Sequence, residues 1–240
     1  MHATSPVALV TGGARGIGHE VTRQLAASGC VVYAGVRDPD RAADTIAKLA
    51  VDADVRPVRL DVTDERSIAS AVDTIDTAVG RIDILINNAG ISPPHGDPLG
   101  ADVADVRRTY ETNVFGVIAV TQACLPLLLR SAPASVVNVS SAMGSLALWS
   151  DDESPIAAHA PLLLAYNTSK TALNAVTVAY ARAARQHGIR VNSADPGYVA
   201  TDLNGRTGTR TVAEGARIIV NLARAEQTGT FQSDFGPVPW

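Results

Sequence analysis

What most constrains this chain is the way it opens. Pro6-Val-Ala-Leu-Val10 is a short apolar run, Thr11-Gly-Gly-Ala-Arg-Gly-Ile-Gly18 interrupts it, and His19 to Ser28 continues with helical spacing through Val21, Leu25 and Ala26. Period and punctuation read as strand, glycine-rich turn and helix. Gly29 stops the helix, and Cys30 to Val36 reads as a second strand ahead of the polar Arg37-Asp-Pro-Asp-Arg41. In such a βαβ unit, missing side chains let backbone N–H groups and a helix N-terminus approach a pyrophosphate. Gly12, Gly16, Ile17 and Gly18 are the expected contacts. A plain tight turn would also want glycine; the placement between strand and helix favours the dinucleotide reading.

The alternation continues. Helical spacing runs from Arg41 to Ala50, Val55 to Leu60 reads as a third strand, and Glu65 to Val79 as a helix. Strand Ile82 to Ile86, helix from about Ala101 to Arg130, strand Ser135 to Val139, helix Ala165 to His187 and strand Arg190 to Ala194 complete the run. Strands this continuously apolar belong in a parallel sheet buried on both faces. The expectation is an α/β fold: a single doubly wound domain over 1–240, with helices on both sides. No repeat, low-complexity tract or linker marks a boundary. Two stretches escape the alternation, Ala142 to Leu164 and the tail from Tyr198.

Further motifs follow in order: Asn87-Asn-Ala-Gly90 after the fourth strand, Asn113 in Glu111-Thr-Asn-Val-Phe-Gly116, Ser140-Ser-Ala-Met-Gly144, and Tyr166-Asn-Thr-Ser-Lys170. Tyr166 and Lys170 are four apart on one helix, so they share a face. A phenol of ordinary pKa about 10 is a poor base near neutrality, and a nearby ammonium is expected to lower it. With the glycine spacing, these motifs resemble the short-chain dehydrogenase/reductase family, over nearly the whole chain. The resemblance implies a Rossmann-type fold and hydride exchange between a nicotinamide cofactor and a carbonyl or alcohol carbon. It implies Tyr166 as proton carrier, Lys170 on the nicotinamide ribose, a serine on the substrate oxygen and Asn113 anchoring a relay water. Ser141 is the chosen serine because it stands three residues before Gly144; adjacent Ser140 is the competitor. By the same resemblance Asp61 and Val62 contact adenine, Asn88, Ala89 and Gly90 pass beneath the ribose, and Pro196, Gly197, Val199 and Thr201 clamp the carboxamide. Asn87 is expected to be structural.

The second strand ends Gly35-Val36-Arg37-Asp38. A carboxylate there would bond the ribose hydroxyls of NAD, and a guanidinium the 2′-phosphate of NADP. Val36 is apolar, and Arg37 and Arg15 are basic, so NADP(H) is expected over NAD(H). Asp38 reaching the ribose, with both arginines merely solvated, is the alternative.

From Ser141 to Tyr166 is 25 positions, longer than the family's usual spacing, so an insertion at about 144–164 lies beside the site. It resembles that of the carbonyl reductases, as do Thr201-Asp-Leu-Asn204, Glu214-Gly-Ala216 and Pro237-Val-Pro-Trp240. The expected reaction is reduction of a small ketone, aldehyde or quinone. Reduction of a C=N bond and a non-catalytic dinucleotide sensor are the alternatives. His95 and His159 lack a partner carboxylate by spacing, so surface or packing roles are expected, and the acidic Asp151-Asp-Glu153 reads as a solvated loop.

Composition bounds the partners. A net charge of −4 with 20 Lys and Arg scattered along the chain offers no basic block for nucleic acid. The first six residues lack a leader pattern, and no later stretch approaches the roughly 18 apolar residues of a membrane span; a cytoplasmic protein without membrane contact is expected. Cys30 and Cys124 read as buried reduced thiols, and no metal ligand spacing is seen. Apolar faces on the 101–130 and 165–187 helices suit a homo-oligomer, unless the insertion covers them.

Overall fold

The computed structural model describes residues 5–51, 53–93 and 98–240. Six apolar strands appear where the alternation places them: β1 Val7–Thr11, β2 Val31–Val36, β3 Val55–Arg59, β4 Ile84–Asn87, β5 Ala134–Val139 and β6 Ile189–Asp195. Two more, β7 Phe231–Ser233 and β8 Gly236–Pro237, extend the sheet to eight in the order β3-β2-β1-β4-β5-β6-β7-β8. All neighbours pair in parallel except β7 and β8.

Period two divides the sheet into two cores. Ala8 and Val10 of β1 face one side, with α1 Gly16–Ala27, α2 Pro39–Leu49 and a helix at Val212–Arg224. Val7 and Leu9 face the other, with α3 Glu65–Val79, a helix at Gly116–Leu129 and one at Leu164–Ala184. This is the doubly wound, Rossmann-type α/β arrangement. Its strand order reverses between β1 and β4, which opens a crevice beyond their carboxyl ends.

Several elements differ from expectation. The helix placed at 101–130 is α4 Val103–Tyr110, a π turn Glu111–Phe115 and α5 Gly116–Leu129, with the Gly116 N–H bonded back to the Glu111 carbonyl. These 27 residues include an 18-residue window of mean hydropathy 1.7, more apolar than the sequence reading allowed. Half of that window is buried, as a core helix against the sheet requires. The insertion is not an open loop. It forms α6 Leu146–Trp149, capped by buried Ser145, and α7 Pro155–His159, capped by buried Ser154. The long helix after it, Leu164–Ala184, is α8.

The tail holds α9 Val212–Arg224, whose Thr211 and Glu214 form a reciprocal capping box. Strands β7 and β8 follow it, and the Trp240 carbonyl accepts the Ala147 N–H at 3.0 Å while its ring stacks on Phe231 at 5.5 Å. The tail therefore braces the insertion. Both cysteines are buried and free, and burial pushes the Cys124 thiol up to about 12.

Candidate active site

Elements converge on the crevice. Gly12 has φ +67° and Gly16 φ +52°, conformations that suit glycine. Gly18 has an ordinary backbone, but a Cβ there would lie 2.3 Å from the Gly12 carbonyl oxygen. The turn thus folds onto the first turn of α1, with Ile17 half-buried and Arg15 exposed at the N-cap. Thr11 was not singled out in the sequence. Its buried hydroxyl accepts the N–H groups of Asn88 and Ala89 at 2.9 and 3.0 Å, and the Asn88 amide donates to the Thr11 carbonyl at 2.8 Å. The end of β4 is in this way locked to the glycine turn.

The catalytic candidates meet beyond β4 and β5. Lys170 is buried on α8 and its ammonium donates to the Val139 carbonyl at 2.8 Å. It lies 5.5 Å from the centre of the Tyr166 ring and 3.7 Å from where a Gly90 Cβ would stand, so it faces the ribose path proposed for Asn88 to Gly90. Ser141 caps the short turn Ala142–Gly144 by accepting the Met143 N–H at 3.2 Å, and its hydroxyl opposes the upward shift of the Tyr166 phenol. Ser140 is turned away: buried, it donates to the Asn174 side chain at 2.6 Å. A Cβ on Gly144 would lie 2.6 Å from the Lys170 carbonyl carbon, so this glycine lets the serine turn rest on the α8 backbone.

Asn113 sits in the π turn, fully buried. Its amide donates to the Ile91 carbonyl and to Ser169, at 2.9 and 3.0 Å, and its Oδ1 accepts the Ile91 N–H at 2.9 Å. Ser169 in turn donates to the Tyr166 carbonyl at 2.7 Å. The side chain is thus spent on aligning the strand β4 exit with α8. π turns recur at functional sites.

One expectation is corrected. Burial pushes the Tyr166 phenol up to about 12, the negative Asp195 adds to the rise, and only the Ser141 hydrogen bond opposes it. Lys170, 5.5 Å from the ring, does not offset this burial, and burial brings its own ammonium down to about 8. Spacing predicted proximity but could not predict desolvation. The pair is arranged as a neutral acid beside a desolvated amine.

This buried amine makes stability depend on pH. Below 8 Lys170 is charged in both folded and unfolded chains, so its burial cost is present in full. Between 8 and the ordinary 10.5 the folded chain has released the proton and the unfolded chain still holds it, so stability rises with pH. Lys170→Met should therefore be more stable than the wild type at pH 7, by a few kcal/mol (~3). The gap should narrow towards pH 10 in urea unfolding, and a constant gap would exclude a lowered Lys170.

At the outer end of the crevice, Asp38 caps α2 by accepting the Arg41 N–H at 3.1 Å. Arg37 is exposed beside it, and Arg59, the parallel partner of Val36, adds a cation not anticipated in the sequence. Burial raises the Asp61 carboxyl, but two Thr63 hydrogen bonds, Arg37 and Arg59 outweigh it and the group is lowered overall. Val62 packs its carbonyl against Gly116. On the inner side Gly197 has φ +74°, Val199 is buried, and the Thr201 methyl stands 3.5 Å from the position of a Gly16 Cβ, so the segment from Pro196 closes over the glycine turn.

A family model described as short chain dehydrogenase matches residues 6–212. The chain belongs to the short-chain dehydrogenase family. This short-chain dehydrogenase is 33% identical to the short-chain dehydrogenase anuI of Penicillium roqueforti, over 92% of this chain and 89% of that protein. It is 32% identical to the (+)-neomenthol dehydrogenase of Capsicum annuum over 92% of each chain. Salutaridine reductase of Papaver bracteatum is 32% identical over 90% of this chain and 89% of its own. Among solved structures, the NADPH-bound carbonyl reductase from chicken fatty liver superposes with TM-score 0.87 at 30% identity, covering 99% of this chain and all of that one. The dehydrogenase is thus an oxidoreductase of a family that binds nicotinamide dinucleotides, with reductases of carbonyl compounds among its relatives.

Within this dehydrogenase, Asn87 donates to Thr121 and Asn138 at 3.1 and 2.9 Å, Asn138 donates to Thr177, and Ser193 reaches the same Thr177 at 2.9 Å. That buried network ties β4, β5 and β6 to α5 and α8, the structural place expected for Asn87. The acidic Asp151 to Glu153 are exposed. His159 ends α7, and His95 lies outside the described residues.

Proposed function

We propose that this protein reduces the carbonyl of a small ketone, aldehyde or quinone with NADPH, with Tyr166 as proton donor. The observation that carries the reading is the buried Lys170 ammonium 5.5 Å from the Tyr166 ring, at the mouth of a glycine cradle that side chains would fill. The cradle fits a dinucleotide: Gly12, Gly16 and Gly18 leave the pyrophosphate its approach to α1, Asn88 to Gly90 border the ribose, and Pro196 to Thr201 border the carboxamide. When bound, the reduced nicotinamide supplies hydride to the carbonyl carbon.

The chain's own residues do the rest. Ser141 holds the substrate oxygen by donating its hydroxyl proton into a hydrogen bond. Tyr166, kept neutral by burial, transfers its phenolic proton to that oxygen as negative charge develops. Lys170 and a water on the Asn113 turn return a proton to the phenolate. Orientation of the carbonyl between two fixed donors lowers the barrier without any strained group.

Arg15 and Arg37, joined by Arg59, support NADPH over NADH. All three are exposed near the end of β2, none of them forms an ion pair among the described residues, and Asp38 is committed to its helix cap. Charge-assisted hydrogen bonds to a phosphate contribute about 1.5–3 kcal/mol. Arg37→Ala should thus weaken NADPH binding by roughly tenfold or more and leave NADH binding unchanged, read by fluorescence titration of both cofactors. Equal loss for the two cofactors would sink the 2′-phosphate assignment.

A further inference from the structure

Trp149 ends α6 half-buried, and its indole Nε1–H donates to the Met143 carbonyl at 2.8 Å. Met143 is the middle residue of the turn Ala142–Gly144 that Ser141 caps. The insertion thus reaches back to the turn that carries the candidate serine.

A short turn of this kind leaves its last carbonyls without partners of its own. The Ser141 carbonyl accepts the Gly144 N–H at 2.8 Å and the Ala142 carbonyl the Ser145 N–H at 3.0 Å, both within the turn. The Gly144 carbonyl accepts the Asn174 amide from α8 at a long 3.4 Å. Between them the Met143 carbonyl takes its donor from the insertion. The donor is held in place, because α6 is built on the residue that follows the turn: Ser145 Oγ accepts the Leu148 N–H and the Ser145 carbonyl accepts the Trp149 N–H, each at 3.2 Å. An indole is a rigid group that can donate and cannot accept, which suits a carbonyl. Met143 therefore carries two anchors, its carbonyl on Trp149 and its N–H on Ser141 Oγ at 3.2 Å. A serine hydroxyl that accepts an N–H keeps its own proton for another acceptor, as a hydrogen bond to the substrate oxygen requires.

Resting on the proposed role of Ser141, we propose that Trp149 is a positioning residue: its indole N–H holds the Met143 carbonyl and so keeps the Ser141 hydroxyl aimed at the substrate oxygen. Precise aim of a donor matters most in the transition state, so the effect belongs in kcat.

The test is a double-mutant cycle on the whole protein, with NADPH and either a nitrobenzaldehyde or a naphthoquinone, whichever the wild type reduces faster. Trp149→Phe keeps an aromatic ring and removes the donor. With Ser141 present it should lower kcat by about tenfold, the scale of one hydrogen bond lost, and leave KM and NADPH affinity within a factor of about two. In Ser141→Ala, read by single-turnover NADPH oxidation, adding Trp149→Phe should change nothing further, because no hydroxyl remains to be aimed. Should circular dichroism show Trp149→Phe unfolded, the shape is kept by incorporating benzothienylalanine, sulfur in place of the indole N–H, into Trp240→Phe, where Trp149 is the one remaining tryptophan. An equal loss with and without Ser141 would show a merely structural tryptophan and overturn the proposal, as would an unchanged kcat with Ser141 present. Ser141→Ala turning over as fast as the wild type would instead remove the underlying serine assignment, whatever Trp149→Phe does.

Discussion

Replacing Tyr166 with Phe should lower turnover with any carbonyl substrate by about a thousandfold, the scale of a positioned general acid, while leaving NADPH affinity within a factor of about two. The ring stays, so packing on α8 is kept; only the hydroxyl is removed. The cofactor cradle is built from other residues, Gly12 to Gly18 and the Thr11 lock on Asn88 and Ala89. Stopped assays of NADPH oxidation, paired with binding titrations, separate the two effects. A variant that loses binding in proportion to turnover would show that Tyr166 holds the cofactor and does not handle the proton.

Gly18→Ala should be the most damaging single methyl in the cradle. Its Cβ would be placed 2.3 Å from the Gly12 carbonyl oxygen and 2.4 Å from the Asn88 amide, and neither is the free end of a flexible side chain, since that amide is bonded to the Thr11 carbonyl. Either the turn lifts off α1 or the β4 end is pushed away, and both disrupt the pyrophosphate path. NADPH affinity should fall on the order of a hundredfold, with a loss of stability of 2 kcal/mol or more, taken as roughly the overpacking range. Gly29→Ala is the control. Gly29 has φ +89° but nothing within 4 Å of a Cβ, so that substitution should cost about 1 kcal/mol of backbone strain and leave cofactor binding intact. Isothermal titration with NADPH on both variants checks the contrast, and equal effects would mean that the close approach at Gly18 is unimportant.

The parts legible in the sequence are those written in local periodicity. Strands β1 to β6 and helices α1 to α3 and α8 follow apolar spacing, because each must bury one face or two in a layered core. The neighbourhood of Tyr166 and Lys170 was legible from their shared helical face, and that of Ser141 from the distance to Gly144, whose missing side chain admits the α8 backbone. Three things were not legible. The π turn at Glu111–Phe115 adds one residue to a helix without altering its apolar character, so no period announces it. Strand β7 is three residues long, too short for alternation to register, and the helix α9 ahead of it, with its Thr211 and Glu214 capping box, also lay in the tail left unassigned. The ionisation of Tyr166 is set first by burial of its phenol, which comes from packing of distant elements and leaves no mark on local periodicity.

The central claim, that hydride passes from NADPH to a carbonyl carbon, is tested most directly with NADPH carrying deuterium at the transferring carbon. Pure protein would be incubated with that cofactor and a panel of ketones, aldehydes, quinones and cyclic imines, and the products read by mass spectrometry. The account predicts alcohols or hydroquinones, with deuterium retained on the new carbinol carbon of ketones and aldehydes, formed about a thousandfold more slowly by Tyr166→Phe. Deuterium appearing solely at carbon bound to nitrogen, or NADPH binding without transfer to any member of the panel, would contradict it.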